Sequence, residues 1–478
     1  MMGRTKDLIG QHENLKAIKK KLEQNSLVEL RLGFEEGEFR SKRDVQSLVQ
    51  VIEQKFHHQL SLHKYSCLRS ISIGWRLPNF ALGPVLQSVI PSLLKGPVRV
   101  THLQLILNDN PPIPEACLRR IISWHSLESI DLRSITLQFI EAKSSKAEPI
   151  PVTKQVNARR RRKMGSDESK TWVRANVIYI LSYISTNIKS LKLMGCGIKK
   201  NHIPKLCEFI RKRMHGLESL SLRRNFTLDG NYHHLFELRG IKSLDLSLCD
   251  LDENDGFYIA HTIEKAEVKD LEQLNLAGNY RLSSSIPHIV SAGATMLSHI
   301  DCSFCGTTAK TQREVFDILG KAPPLSLSPL STQQQHEKCT IQSFRMQGIM
   351  LNDAVGLVKC IRNNSSIRSL ILDHPHEIRP VSVEGMQQIV SALEWNYSLE
   401  VLKLDLIPSQ CPDCLETFEF WLNLNRCGRR ALLQTNEGTN SWTNILTQAA
   451  KSNDHNVLFW LLKHGSVMLN KSNFVEKL

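Results

Sequence analysis

Two pairs of cysteines at CxxC spacing, Cys302 with Cys305 and Cys411 with Cys414, are the residues best spaced for redox or metal chemistry. A second thiol three residues away can resolve a mixed disulfide or share a zinc ion. Cys411 and Cys414 stand at the start of an expected helix, where the helix dipole would lower a thiol pKa. A zinc site there would need two more ligands; Cys427 and His464 are the candidates, and their spacings match no familiar finger. No βαβ pattern of the thioredoxin kind surrounds the pair. Structural roles are the better account of both pairs, so neither metal nor cofactor is expected. The third candidate is the basic run Arg159, Arg160, Arg161, Arg162 and Lys163. Such a run contacts phosphates, acts as a nuclear targeting signal, or is simply solvated charge.

Enzyme signatures are otherwise missing from the sequence. There is no phosphate-binding GxxxxGK[ST] loop, HExxH helix, GxSxG elbow, kinase set or dinucleotide fingerprint. The eighteen histidines fall mostly in expected turns and helix ends, and His233 and His234 lack partners at ligand spacing. No catalytic residue is assigned. The expected class is a non-enzymatic binding protein.

What positions the remaining residues is a recurring phrase, LxxLxLxxNxL, in which Cys can replace Asn. One copy runs Leu217, Leu220, Leu222 and Asn225; the next runs Ile241, Leu244, Leu246, Cys249 and Leu251. Ile188, Leu191, Leu193, Cys196 and Ile198 form another, and Leu271, Leu274, Leu276 and Asn279 a fourth. Cys302 and Cys305 fall on the strand-leucine and Asn positions of a further copy, so core packing accounts for them. Weaker copies bring the array to about twelve units.

In each unit the two leucines of LxL alternate with polar residues and so face one side of a short strand. The buried Asn or Cys then satisfies loop backbone groups. Amphipathic stretches at 80–94, 201–214 and 384–393 read as helices between strands, and another covers 45–56. A strand and a full helix in each unit of roughly 24 to 32 residues is the long leucine-rich-repeat form. The expected fold is an α/β leucine-rich-repeat solenoid, with a curved parallel β-sheet inside, helices outside and a C-terminal helical cap.

Residues 385–406, GMQQIVSALEWNYSLEVLKLDL, and the similar LVKCIRNNSSIRSLILD resemble the helix–Asn–strand junction of the ribonuclease-inhibitor-like class of leucine-rich repeats. That class includes enzyme inhibitors, GTPase-activating proteins and the sensor domains of NOD-like receptors. The resemblance therefore implies a fold and leaves several functions open.

The expected domains are an N-terminal helical cap at 1–26, the array at 27–410 and a C-terminal helical cap at 411–478. Two insertions interrupt the array. Residues 141–170, rich in charge and poor in apolar side chains, are expected to be disordered and carry the basic run. Residues 321–338 are of low complexity and expected to form a loop.

A net charge of +14 favours acidic partners, although lysines are spread along the whole chain. The first residues lack an apolar signal region, and no stretch is long and apolar enough to span a bilayer. A cytoplasmic or nuclear protein with free, buried thiols is expected, with no membrane partner.

On the strand face away from the core, the residues nominated for protein binding are Lys192, Arg223, Asp245, Asn275, Asp301 and Arg345. Both charge signs are interspersed and no aromatic ladder runs along the strands. A mixture of this kind suits a protein partner better than a phosphate backbone. Two alternatives remain open: regulation of a small GTPase as an activator of the ribonuclease-inhibitor-like kind, and nucleic-acid association through residues 154–163.

Overall fold

The computed structural model describes residues 29–32, 42–62, 68–74, 81, 85–90, 100–106, 113–114, 121–123, 126–133, 137–138, 181, 183–198, 200–225, 233–265, 270–321, 339–347, 354–373, 382–404, 412–429, 446–447, 450–451 and 458. The chain divides into two compact units, Met1–Ser221 and Leu222–Leu478. The expected N-terminal cap, the whole 141–170 insertion, most of the 321–338 insertion and most of the C-terminal cap lie outside the described residues.

In the first unit, β1 (Glu29–Leu32), β2 (Ser70–Ile73), β3 (His102–Ile106), β5 (Ser129–Arg133), β7 (Ser190–Met194) and β8 (Ser219–Ser221) form a parallel sheet in that order. The register keeps every inward side chain on its equivalent: Leu30 lies opposite Ile71, Ile71 opposite Leu103, Leu103 opposite Ile130, Ile130 opposite Leu191, and Leu191 opposite Leu220. All of these are buried. A one-residue slip would turn the whole row to solvent, so the leucine pattern fixes the pairing. Although the 141–170 insertion lies between them in sequence, β5 and β7 pair directly. A short parallel pair, β4 (Ile113–Pro114) with β6 (Leu137–Gln138), was not expected from the sequence.

The helices of this unit depart in part from expectation. The one expected at 45–56 spans Lys42–Leu62, as α1, and buries Val45, Leu48 and Ile52. Of the helix expected at 80–94, the described residues show a π-helical turn, Val85–Val89, which buries Val85, Leu86 and Val89. Pro84 and Pro91 bracket it in sequence, and a proline offers no N–H to an α-helical ladder. Helix α2 (Ile203–Arg213) matches its expectation closely, burying Ile203, Leu206, Cys207 and Ile210. Its last turn carries Arg211, Lys212 and Arg213, the charge sign favoured at a helix C-terminus.

The second unit stacks β9 (Ser243–Asp245), β10 (Gln273–Asn275), β11 (His299–Cys302), β12 (Ser343–Gln347), β13 (Ser369–Asp373) and β14 (Val401–Leu404), again parallel and in order. Leu244, Leu274, Ile300, Phe344, Leu370 and Leu402 form one continuous buried row. Its helices are α3 (His233–Phe236), α4 (Glu253–Glu264), α5 (Ile286–Gly293), α6 (Ala309–Leu319), α7 (Ala354–Asn363), α8 (Val383–Trp395) and α9 (Pro412–Arg426). Their starts follow from local chemistry. Asp252 and Asp255 form a reciprocal capping box on α4, while Thr308 and Ser382 cap α6 and α8.

Two ladders of buried polar side chains hold the turns of this unit. After the strands, Asn225, Cys249, Asn279 and Cys305 alternate. Asn279 Nδ2 donates to the carbonyls of Leu246 (3.0 Å) and Leu276 (2.6 Å), and its Oδ1 accepts from the N–H groups of Cys249 (2.9 Å) and Leu251 (3.1 Å). Cys249 and Cys305 donate from Sγ to the carbonyls of Leu222 and Leu276, both at 3.2 Å. Before the strands, Asn364, Asn396 and Asn425 form the second ladder. Asn396 Nδ2 donates to the carbonyls of Ile361 (2.6 Å) and Asn364 (2.9 Å), and its Oδ1 accepts from Ser398 and Leu399. Asn425 repeats the donor half, to Asn396 and Leu399, but its buried Oδ1 has no partner.

Behind α8, Arg429 is buried between aromatic rings, 4.1 Å from the centroid of Tyr397 and 4.2 Å from that of Trp421. It donates to the carbonyls of Leu393 and Glu394, satisfying the C-terminus of α8. Burial lowers its pKa to about 10, partly offset by Tyr397 and Glu394.

Candidate protein-binding face

Strand residues that alternate with the buried leucines form the other face of each sheet. In the first unit this face is already an internal network. Asp131, 7% exposed, accepts from Gln104 Nε2 at 3.0 Å and from Arg133 through Nε and Nη2, the latter at 2.7 Å. The hydrogen bond to Asp131 pushes the Arg133 pKa up. Lys192 lies opposite Asp131 in register and is exposed. Buried and held by Gln104 and Arg133, the Asp131 carboxylate is taken up by its own sheet.

The second unit uses its outward residues differently. Asp245 Oδ1 accepts from the backbone N–H of Ser247 at 3.0 Å and from its hydroxyl at 2.6 Å. Asn275 Oδ1 accepts from Ala277 N–H and Asp301 Oδ1 from Ser303 N–H, both at 2.9 Å. These three side chains occupy consecutive rungs. In a parallel ladder those N–H groups would bond to carbonyls of the preceding strand. Here Asp or Asn takes the N–H, while the Asn and Cys ladder takes the carbonyls of Leu222, Leu246 and Leu276.

The strands that make this exchange are short, three residues in β9 and β10 and four in β11, whereas β7, β12 and β13 run for five. At the equivalent position these longer strands carry Lys192, Arg345 and Ile371, which cannot accept. Chain direction changes immediately afterwards, with Leu248, Gly278 and Phe304 all at φ between 57° and 77°.

Of the nominated residues, Asp245, Asn275 and Asp301 therefore come together as a preset row, with Arg345 on the next rung. Arg345 is exposed and its Nη1 stands 4.0 Å from Asp301 Oδ2, a long contact. Arg223 is half-buried, and its Nε is buried without a hydrogen-bond partner. Lys192 belongs to the first unit. The basic run Arg159–Lys163 lies outside the described residues.

The sequence reading missed an aromatic rim. Aromatic residues are absent from the outward strand positions of β9–β11 but occur on the turns that close them. Tyr280 is 68% exposed and Phe304 39%. The two turns touch: a Cβ on Gly306 would sit 2.2 Å from the Tyr280 carbonyl oxygen.

The cysteines divide clearly. Cys196, Cys207, Cys249, Cys302, Cys305, Cys339, Cys360 and Cys427 are free and buried. Burial pushes Cys302 well above the ordinary thiol range and takes Cys249, Cys305 and Cys360 up to about 12, so these thiols stay protonated and unreactive at neutral pH. Cys414, in the first turn of α9, is disulfide-bonded and departs from the expected free thiols; Cys411 lies outside the described residues. Among the described residues no group of three or more His, Cys, Asp or Glu side chains is placed to hold a metal ion. No helix among them is long and apolar enough to cross a membrane.

No family model and no curated protein matches the chain. Among solved structures it is similar to the leucine-rich-repeat-containing protein LegL7 from Legionella pneumophila, at 13% identity and a TM-score of 0.43, over 76% of this chain and 97% of that one. It is also similar to the tropomodulin C-terminal domain of Caenorhabditis elegans, at 12% identity and a TM-score of 0.28, over 38% of this chain and 97% of that one. Neither likeness is strong enough to speak to function. The strand register, the helix in most repeats and the Asn and Cys ladders make each unit an α/β leucine-rich-repeat array.

Proposed function

We propose that this chain is a non-enzymatic scaffold or adaptor that binds another protein on the outward face of its leucine-rich-repeat sheet. One observation carries the reading most directly: Asp245, Asn275 and Asp301 are held in a row by their own turn backbone. Side chains fixed in this way lose little entropy on binding, which favours specific contact over a merely solvated surface. Strand residues of both charge signs, from Lys192 to Arg345, supply mixed polar complementarity. We place the repeats in the ribonuclease-inhibitor-like class, on the support of their α-helices and the Asn396 junction between α8 and β14. A cytoplasmic or nuclear setting goes with this reading, supported by the eight free, buried thiols.

The test is affinity purification with mass spectrometry, comparing the intact chain with Lys192→Glu in one unit and Arg345→Glu in the other, both at exposed positions. The expected result is loss of a specific partner from at least one variant with unchanged thermal stability. Full recovery of every partner by both variants would refute outward-face binding.

A further inference from the structure

The net charge of +14 is concentrated in one stretch of the chain. Residues 154–213 contain sixteen Lys and Arg against three Asp and Glu, a balance of +13, so the rest of the molecule is close to neutral. Lysines elsewhere are matched by carboxylates; these are not. The folded part of the stretch is a single repeat of the first unit, made of β7, the turn after it and α2. Because β5 pairs with β7 across the insertion, the run Arg159–Lys163 is tethered to the same repeat.

On α2, Ile203, Leu206, Cys207 and Ile210 turn into the core. The solvent side is left to Lys205, Glu208, Arg211, Lys212 and Arg213, all exposed. Glu208, the one carboxylate, is taken by Lys212 at 2.6 Å. The Lys205 and Arg213 side chains make no ion pair or hydrogen bond with the described residues. A basic surface is not general to the helix layer: α4, α8 and α9 carry more carboxylates than cations, and α6 carries equal numbers.

Acidic protein, anionic lipid and nucleic acid all offer the complementary charge. Protein interfaces draw their energy from aromatic and aliphatic anchors, and helices that bind bilayers insert an apolar face. No exposed position on α2 is apolar, so it supplies neither. A phosphate backbone asks only for accessible cations, and the arginine fork fits a phosphate through paired hydrogen bonds.

We propose that the exposed side of α2 is a nucleic-acid contact, in which Lys205, Arg211 and Arg213 lie on the phosphate backbone without reading sequence. This surface belongs to the helix layer and is separate from the strand face assigned to a protein partner. It also differs from association through residues 154–163 alone, because the folded helix carries contacts of its own.

The test is fluorescence anisotropy of the intact chain with two labelled DNA duplexes of unrelated sequence, titrated between about 50 and 200 mM salt. Lys205→Gln/Arg211→Gln/Arg213→Gln spares the buried side of α2 and the Lys212–Glu208 pair, and an unchanged melting midpoint verifies the fold. The intact chain should bind both duplexes alike. In the triple variant the low-salt affinity should fall at least about tenfold, and the slope of log K against log salt should be shallower by about 2 to 3. If the triple variant melts early, Lys205→Gln alone decides, with a slope shallower by about 1. Deletion of residues 154–163 should weaken binding but leave a salt slope that the helix substitutions reduce further. Absence of binding, or an unchanged affinity and slope in the helix variants, would overturn the proposal. So would competition by polyglutamate or by phosphatidylserine vesicles as effective as that of duplex at equal charge, since α2 would then serve an acidic protein or a lipid surface. None of these results bears on the scaffold reading, which stands or falls on partner recovery by the Lys192 and Arg345 variants.

Discussion

Asn279 reaches back one repeat to Cys249: its side-chain oxygen accepts the cysteine's backbone N–H at 2.9 Å, while its amide nitrogen donates to the Leu246 carbonyl at 3.0 Å. One side chain thus closes the turns of two neighbouring repeats. Cys249 does the same one repeat earlier, donating from Sγ to the Leu222 carbonyl at 3.2 Å.

Replacing Asn279 by Ala should strand the buried Leu246 carbonyl and two buried N–H groups, leave the Leu276 carbonyl to Cys305 alone, and cost about 3 kcal/mol of stability. Asn279→Cys should cost less, because a thiol at this position still donates to the preceding repeat, as Cys305 does to Leu276. Urea unfolding of the three proteins measures the order. Equal stability of wild type and Asn279→Ala would show that the ladder is dispensable.

Backbone conformation gives a second contrast. Gly197 (φ 66°) and Gly306 (φ 69°) are both left-handed, but a Cβ at Gly197 meets nothing within 4 Å, whereas one at Gly306 falls on the Tyr280 carbonyl oxygen. Gly197→Ala should cost about 1 kcal/mol, from conformation alone. Gly306→Ala should cost clearly more, about 3 kcal/mol, because a backbone atom must move. Thermal melts of the two variants decide it.

Burial of the thiols sets an alkaline limit. Cys249, Cys305 and Cys360 have pKa values raised to about 12 by desolvation. An unfolded thiol ionises near pH 8.5, so above that pH the unfolded chain loses protons that the native state keeps. Their stabilising contribution is complete below about pH 8.5 and declines as pH rises towards 12. The urea midpoint should therefore fall between pH 8 and 10.5, with a shallower fall in Cys360→Ala, and native Cys249, Cys305 and Cys360 should resist thiol reagents at pH 8.

Much of this architecture is legible in the residues. Leu191 with Leu193, or Leu274 with Leu276, declares a strand through its spacing, and the asparagine of EWNYSL marks the junction later seen at Asn396. The row Asp245, Asn275 and Asp301 could be named as outward-facing for the same reason.

Its chemistry could not. Whether a carboxylate points to solvent or folds back onto the N–H two residues ahead depends on where the strand ends, and the strand ends because that carboxylate folds back. Residues 129–133 show the other outcome, with Asp131 held by Arg133 and Gln104. The rim was hidden too, since Tyr280 and Phe304 follow the repeat's polar positions and only the turn geometry exposes them.

Cross-linking mass spectrometry on the purified complex tests the central claim most directly, because exposed lysines mark both surfaces. Lys192 and Lys403 stand on strands, whereas Lys205, Lys212, Lys310 and Lys359 stand on helices. Binding on the outward sheet face predicts that cross-links to the partner concentrate on Lys192 or Lys403. Cross-links confined to the helix lysines would contradict it.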